Sequence, residues 1–599
     1  MVNKAALTHR PVESFVYPIR SNELVFRFQA ASKDLKSCFL VFWRRYESPE
    51  KSRRIPMKCD LRDREHDYFS GEAVFQETAC YIRYYFELND GSQTVWYGAQ
   101  GAQPTKQNEN YFEYLYPNLA DGPTPPAWCE RQIYYQIFPE RFRNGDRSND
   151  PPDAVPWESP PSRDNAMGGD LKGIIHSVGY FAELGVTCLY LTPIFHGASN
   201  HKYDTIDYYK IDPQFGTEED LAQLVDQCHK QGIRIVLDGV FNHCGYYFPP
   251  FQDLIQSGEQ SKYKSWFFPL GFPLKSDPPN YECVGYYKWM PKLNLANPET
   301  CDYFIDVGKY WIQKCGIDGW RLDVADEVEG RFWERFSGAL KKDFPEAVLI
   351  GESWGDAGRL VLGNRLDGAM NYLFKDAVTD WLAKGKIDAP EFDHRVNRML
   401  SLYPEGTCRC MYNLLDSHDT PRFLYDCGGD LRKLKLAAAL MMTFPGCPAI
   451  FYGDEIGLTG ANDPDCRRAM IWDGARQNHM LFDWYRRLIL IRKKYDALTF
   501  GNYRTNLCGS ETGLYGFIRS YRGQSLYIVL NPTDRMQNAE VPLLEQESEW
   551  FELLNEETVS SVKLQKEESY CNHDIAHYGS GLQASMAPYS VKIFIQKVV

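Results

Sequence analysis

The sequence predicts an α/β chain: a (β/α)8 barrel of the TIM type with an inserted subdomain, preceded by one β-sandwich and followed by another. Three observations predict it. From Gln132 to about Thr499, apolar strand-like runs alternate with helix-like periodicity, and eight such strands fall near residues 133, 187, 233, 317, 347, 368, 410 and 448. Strands alternating with helices build a parallel sheet, and eight units favour closure into a barrel. On either side of this region the chain instead alternates apolar and polar residues over short runs bounded by turn residues, the pattern of antiparallel sandwiches. Finally, four of the central apolar runs end in acids, as strands do when their C-terminal ends face a barrel's reactive mouth.

Taken in order, residues 1–122 form the first sandwich, with strands at Glu23–Phe28, Ser37–Trp43 and Tyr81–Leu88. Pro117, Pro123, Pro125 and Pro126, set among Asn, Gly and Asp, mark a linker. The barrel occupies 123–500. Its first strand is Ile133–Phe138, followed by a helix from about Leu171 to Leu184 and a strand at Thr187–Thr192. The next helix is capped by Thr217, carries Glu218, Glu219 and Asp220 in its first turn, and has an apolar stripe of Leu221, Leu224, Val225 and Cys228. Gly232 follows its end. After the strand at Ile233–Leu237 the rhythm stops: residues 244–298, rich in Tyr, Phe and Pro, are too long for a loop and form a subdomain over the mouth. Strands resume at Ile317–Val324, Val348–Ile350 and Met411–Leu415. Residues 501–599, with short strands such as Ser525–Leu530 and Ser590–Ile595, form the second sandwich.

Bulk composition narrows the function. The 599 residues carry a net charge of −14 with no Lys/Arg-rich run, which argues against nucleic acid and anionic membrane as partners. Aromatic residues reach 15%, suited to flat hydroxylated ligands. The 17 cysteines are odd in number and many lie within apolar strand or helix patterns, so they read as small buried hydrophobes in a reducing cytoplasm. Residues Met1–Arg10 lack an apolar core and cleavage site, and no apolar run has the length of a membrane span.

The acids at the strand ends carry the chemistry. Residues two apart on a strand share a face, so Arg321 and Asp323 point the same way, and the guanidinium favours an ionised carboxylate as a nucleophile requires. Glu352, in Gly351-Glu352-Ser353-Trp354, has no cation near it in sequence, and an apolar wall there favours the protonated form of a general acid. Asn144, Asp146, Asn149, Asp150, Gly168 and Asp170 bring oxygen donors together after the first strand, a set suited to Ca²⁺ or to a polar turn.

With Asp238-Gly-Val-Phe-Asn242-His243, Gly319-Trp-Arg321-Leu-Asp323, Gly351-Glu352-Ser-Trp354 and Ser417-His418-Asp419 in this order, the chain resembles the α-amylase superfamily of retaining glycoside hydrolases. Met290-Pro-Lys-Leu-Asn294, Gly453-Asp-Glu-Ile-Gly457, Asn462-Asp-Pro-Asp-Cys-Arg467-Arg468 and the extra N-terminal sandwich make it similar to the neopullulanase, cyclomaltodextrinase and maltogenic amylase group. The resemblance implies Asp323 as nucleophile, Glu352 as acid/base and Asp419 as the third acid, gripping ring hydroxyls. Such a retaining pair needs carboxyl groups ~5–5.5 Å apart. It further implies His243 and His418 as hydrogen-bond partners of the cleaved sugar and Tyr203 as its platform. Asp238 would orient Arg321. Asn294, Glu327 and Trp354 would line the leaving-group side, with Asp463 and Arg467 farther out on the other. Asp326 departs from the group, which commonly has Asn there. The resemblance also implies a structural calcium at the oxygen-rich turn. It implies a starch-binding-like N-terminal sandwich that, in a homodimer, closes over the partner's barrel mouth. The expected substrates are cyclodextrins, maltooligosaccharides and pullulan-like glucans. Transfer of the glycosyl group to another sugar uses the same residues and stays open. A non-catalytic glycan-binding relative would have lost an acid or Arg321, and all four are present.

Overall fold

The computed structural model describes residues 1–543 apart from 108, 123 and 364, together with 549–563 and 580–596. Pro123 of the expected linker and Cys571 lie outside the described residues. In the N-terminal sandwich, Val16–Arg20, Glu23–Ala31, His66–Val74 and Arg53–Arg62 pair antiparallel in that order. The long strand Arg53–Arg62 also pairs, through its first half, with Ser37–Arg44, and so links the two layers. Alternation does the rest: Leu24, Phe26, Phe28 and Ala30 face inward from one strand to meet Leu40, Phe42, Tyr84 and Phe86 from the other layer. The sandwich docks on the helix Ala389–Ser401, where Arg27 donates to the carbonyls of Ser401 (2.6 Å) and Tyr403 (3.1 Å).

Eight parallel strands form the barrel: β1 Tyr134–Ile137, β2 Cys188–Leu191, β3 Arg234–Gly239, β4 Gly319–Leu322, β5 Val348–Gly351, β6 Gly368–Ala369, β7 Tyr412–Leu414 and β8 Cys447–Phe451. Pairing runs β6-β5-β4-β3-β2-β1-β8-β7, and a parallel bridge between Met370 and Tyr412 closes the ring. Its interior is filled by Tyr134, Tyr190, Val236, Ile350, Tyr412 and Ala449. Each strand stands where the sequence predicts, with two adjustments. Strand β6 is only two residues long because Asn371 already caps the next helix, accepting from the Phe374 N–H at 3.2 Å. The stretch expected as Ile317–Val324 shortens to β4. Before it, the Asp318 carboxylate accepts from the Ile235 N–H (2.8 Å) and Arg234 (2.6 Å); after it, Val324 turns left-handed. Gly319 opens β4 because a Cβ there would lie 2.1 Å from the Val348 carbonyl oxygen.

The helix Pro298–Cys315 delivers the chain to β4. Asn297 caps it, accepting from the Thr300 N–H at 3.1 Å; Pro298 fills the first turn; and Gly316 ends it at φ +76°. Its inner face buries Phe304, Val307 and Trp311, each contributing about 1.5–3 kcal/mol. Helix Glu218–Lys230 has the expected Thr217 cap, and Asp220 completes a capping box. The helix expected over Leu171–Leu184 breaks at His176 and Ser177, where Arg143 bonds the His176 carbonyl (3.2 Å) and Ser177 Oγ (3.1 Å). The insertion between β3 and β4 holds the helix Pro249–Ser257 and an irregular stretch returned to the barrel by bridges His243–Lys292 and Phe267–Leu293.

At the C-terminal end, a six-stranded and a three-stranded sheet enclose Tyr527, Val529, Val541, Trp550 and Phe594. Buried Arg519 fixes this domain to the barrel through the carbonyls of Thr443 (2.7 Å) and Gly501 (2.9 Å). Leaving Cys508 aside, the other 15 described cysteines are free thiols, most of them buried in apolar settings as expected. Among the described residues no helix is long and apolar enough to cross a membrane.

Candidate active site

Strands β3, β4 and β5 end side by side at the mouth. Their register places Asp238 opposite Arg321, and the chain continues from β4 to Asp323 and from β5 to Glu352. Arg321 is 2% exposed and binds three carboxylates at once. Its Nη1 lies 3.0 Å from Asp238 Oδ2 and 2.8 Å from Asp323 Oδ1, and its Nη2 lies 2.9 Å from Glu352 Oε2. One guanidinium therefore spans the predicted nucleophile and the predicted acid.

This corrects two expectations. Glu352 does have an adjacent cation, supplied by the neighbouring strand and invisible in its own stretch of sequence. Arg321 is also not the main influence on Asp323. Burial pushes the Asp323 carboxyl well above the usual range; Arg321 pulls the other way, and Glu352 and Asp238 reinforce the rise. Asp238 is likewise pushed up, to about 6, by burial against the pull of Arg321. Two phenols donate to it, Tyr190 at 2.6 Å and Tyr203 at 2.9 Å, so it serves as an anchor for Arg321 and Tyr203.

The two histidines are neutral. Burial drives His243 down to about 3 and His418 well below its ordinary value, with Arg467 adding to the second effect. His243 Nε2 lies 3.1 Å from the Tyr203 carbonyl and 4.0 Å from Asp323 Oδ2. His418 is held from both sides, Nδ1 by Gln136 (2.6 Å) and Nε2 by the Tyr203 hydroxyl (2.6 Å). Asp419 is the most open of the three predicted acids, with a side chain 29% exposed; Arg467 Nη2 reaches its Oδ1 at 3.2 Å. Arg467 also pairs with Asp463 at 3.0 Å and donates to the His418 carbonyl at 2.8 Å. Being buried, it joins the loops after β7 and β8.

On the other side of Glu352, Trp354 lies half-exposed, its ring stacked on Tyr372 at 4.0 Å and its Nε1 3.2 Å from Glu352 Oε1. Glu327 pairs with Lys292 at 3.4 Å, and Lys292 also donates to Asn242 at 2.5 Å. Asn294 donates to the Ser265 carbonyl at 2.9 Å. Asp326 is exposed, and burial together with Glu352 raises its carboxyl. The structure thus gathers Tyr203, Asp238, His243, Arg321, Asp323, Glu352, Trp354, His418, Asp419 and Arg467 into one connected mouth, which Asp463 joins through Arg467, while Asn294 and Glu327 are held by Ser265 and Lys292 instead.

Sequence reasoning missed Gln136, Tyr190, Lys202, Lys292 and Tyr372. A glutamine inside the apolar run of β1 was the available signal for the first. Lys202 is fully buried at φ +60°, its ammonium 2.9 Å from Asp212, and it fixes the backbone just before Tyr203.

The oxygen-rich turn holds part of a cation's ligand set. Asn144 Oδ1 and Asn149 Oδ1 are buried with no hydrogen-bond partner among the described residues. Asp150 Oδ1 accepts from Asn144 at 2.6 Å, and a Cβ at Gly168 would lie 2.2 Å from that oxygen. Asp146 is instead paired with Lys172 (2.5 Å), and Asp170 is occupied as a helix cap by the N–H groups of Gly145, Asp146 and Gly173. Among the described residues no three His, Cys, Asp or Glu side chains converge as metal ligands. The orphaned amide oxygens and Asp150 suit a hard cation.

The chain matches known families and proteins over most of its length. Residues 136–501 match the family described as "Alpha amylase, catalytic domain", and residues 1–118 match "Alpha amylase, N-terminal ig-like domain". The chain is 42% identical over 561 residues to neopullulanase 2 of Thermoactinomyces vulgaris, covering 92% of this chain and 95% of that one. It is 40% identical over 539 residues to a cyclomaltodextrinase of Thermoanaerobacter pseudethanolicus, covering 89% and 93%. A solved cyclomaltodextrinase superposes with a TM-score of 0.92 at 34% identity, with full coverage of both chains.

Proposed function

This chain belongs to the α-amylase family, and from that premise we propose that its mouth hydrolyses α-1,4, and some α-1,6, glucosidic bonds of cyclodextrins, maltooligosaccharides and pullulan-like glucans. The observation that carries the reading is Arg321 bridging Asp323 and Glu352. Asp323 Oδ1 is held by Arg321, which leaves Oδ2 to attack the anomeric carbon. Glu352 gives its proton to the departing glycosidic oxygen, and a covalent glycosyl-enzyme forms with retention in view. Water then enters; Glu352 takes its proton, the hydroxide attacks the anomeric carbon, and Asp323 leaves as carboxylate. Neutral His243 and His418 serve as hydrogen-bond partners of the sugar, beside the Tyr203 ring, and Asp419 grips ring hydroxyls. Asp463 and Arg467 bind farther out. The names of the similar proteins support pullulan and cyclomaltodextrins as substrates.

The deciding measurement is the rate on β-cyclodextrin against soluble starch and pullulan, with products identified. Preference for the ring, with maltose and glucose released, is expected. Starch cleaved as fast or faster would overturn the substrate assignment, and Asp323→Asn that still turns over would overturn the mechanism.

A second reading, transfer to a sugar acceptor, is favoured by Trp354: a half-exposed ring fixed by Tyr372 beside Glu352 offers an acceptor platform. Three further properties complete the proposal. Calcium bound by Asn144, Asn149 and Asp150 would hold the turn after β1 without taking part in chemistry; chelation should lower the melting temperature and leave the wild-type rate at low temperature intact. A homodimer is supported by exposed aromatic residues on the inserted subdomain, Tyr247, Tyr286, Tyr287 and Trp289, a surface suited to a partner's sandwich. A fully active monomer in sedimentation would refute it. The free thiols fit a reducing cytoplasm.

A further inference from the structure

Immediately after the predicted nucleophile, the backbone is strained. Val324 adopts φ +45° and ψ +43°. It is the only β-branched residue among the eight non-glycine residues of positive φ described. Such a conformation is a true outlier for valine and is held only where its surroundings impose it. The consequence of the turn is specific: the Val324 N–H donates to Glu352 Oε2 at 2.8 Å. The same oxygen lies 2.9 Å from Arg321 Nη2 as an ion pair without hydrogen-bond geometry, whereas Oε1 has, among the described residues, the Trp354 Nε1 at 3.2 Å. The Val324 N–H thus joins the nucleophile's own backbone to the carboxyl group across the scissile bond.

We propose that the Val324 amide is a positioning group that reserves Oε2 of Glu352 as a permanent acceptor, so that Oε1 alone carries the proton given to the leaving oxygen and later taken from water. An oxygen that accepts a backbone N–H and faces a guanidinium 2.9 Å away is the less favourable of the two for a proton, since both contacts favour negative charge there. The left-handed turn follows directly on this N–H, so the strain and the contact sit at one residue. The charged and titratable groups facing Glu352 are Arg321 on β4, Asp323 just beyond it, Asp238 on β3, Asp326 in the turn after Val324, and Tyr372 after β6. None of them changes when only the 324 N–H is removed.

The inference rests on Glu352 being the acid, which Glu352→Gln tests separately: an aryl glycoside with a good leaving group should lose its high-pH limb in that variant. The test of Val324 itself replaces its amide by an ester, using the α-hydroxy analogue of valine in the full chain. Removing the donor disfavours the carboxylate, so the high-pH limb of kcat/KM on a maltooligosaccharide should move up by about one pH unit. Val324→Gly keeps the N–H and relieves the strain; it should leave that limb in place while raising the melting temperature. An ester variant with an unmoved limb would overturn the proposal, as would Val324→Gly moving the limb as far as the ester does.

Discussion

Removing Arg321 should disable the site through the protonation of Asp323 rather than through lost substrate contact. Arg321 Nη1 is 2.8 Å from Asp323 Oδ1, and at an effective dielectric of about 20 that attraction amounts to about 6 kcal/mol. In Arg321→Met water re-enters part of the vacated space and halves this, leaving about 3 kcal/mol, or about two pH units on Asp323. The sign follows from the charge: the guanidinium favours the carboxylate, so its loss raises the carboxyl further. The low-pH limb of kcat/KM should therefore move up by about two units, with about a hundredfold loss near neutrality. Stability should change in the same sense. Asp238, Asp323 and Glu352 would share a buried pocket without a cation, which costs about 3–5 kcal/mol at neutral pH and less as acid protonates them. Arg321→Lys keeps the charge but not the fork that reaches three acids, and should fall between. The assay is a pH profile of kcat/KM with urea unfolding at two pH values. A uniform drop in rate with an unmoved low-pH limb would refute the reasoning.

Other expectations follow from the same geometry. Tyr203→Phe keeps the ring but removes the hydroxyl that bonds Asp238 and His418; kcat should fall about tenfold with KM little changed, while Tyr203→Ala should also raise KM. Trp354→Ala should lower the transfer-to-hydrolysis ratio several-fold in product analysis with maltotriose as acceptor, since the stack on Tyr372 is lost. Burial holds His201 and His243 near 3, below the unfolded value of 6.5. The stability each contributes is present above pH 6.5 and is lost as pH falls toward 3. By urea titration, wild type should lose about 2–3 kcal/mol per histidine between pH 6.5 and 4.5, and His243→Gln should lose correspondingly less; equal slopes would contradict the neutral assignment.

What the sequence determined by itself is what short-range rules govern. Apolar runs bounded by turn residues marked all eight barrel strands, the Thr217 cap and Leu221–Cys228 stripe marked a helix that formed as expected, and acids at the ends of four strands marked the mouth. Arg321 and Asp323 share a face because they lie two apart on one chain segment, and no tertiary information is needed for that. What only the tertiary structure decided is contact between segments far apart in sequence. Asp238 reaches Arg321 across 83 positions, Gln136 reaches His418 across 282, and Lys292 reaches Asn242 across 50. The cation beside Glu352 belongs to the adjoining strand, so no inspection of Gly351–Trp354 could have found it. The turn at Val324 is likewise a tertiary fact, since valine's own preference is against it. Local preference sets which elements form; barrel closure decides which charges meet, and the energies of those buried meetings set the chemistry.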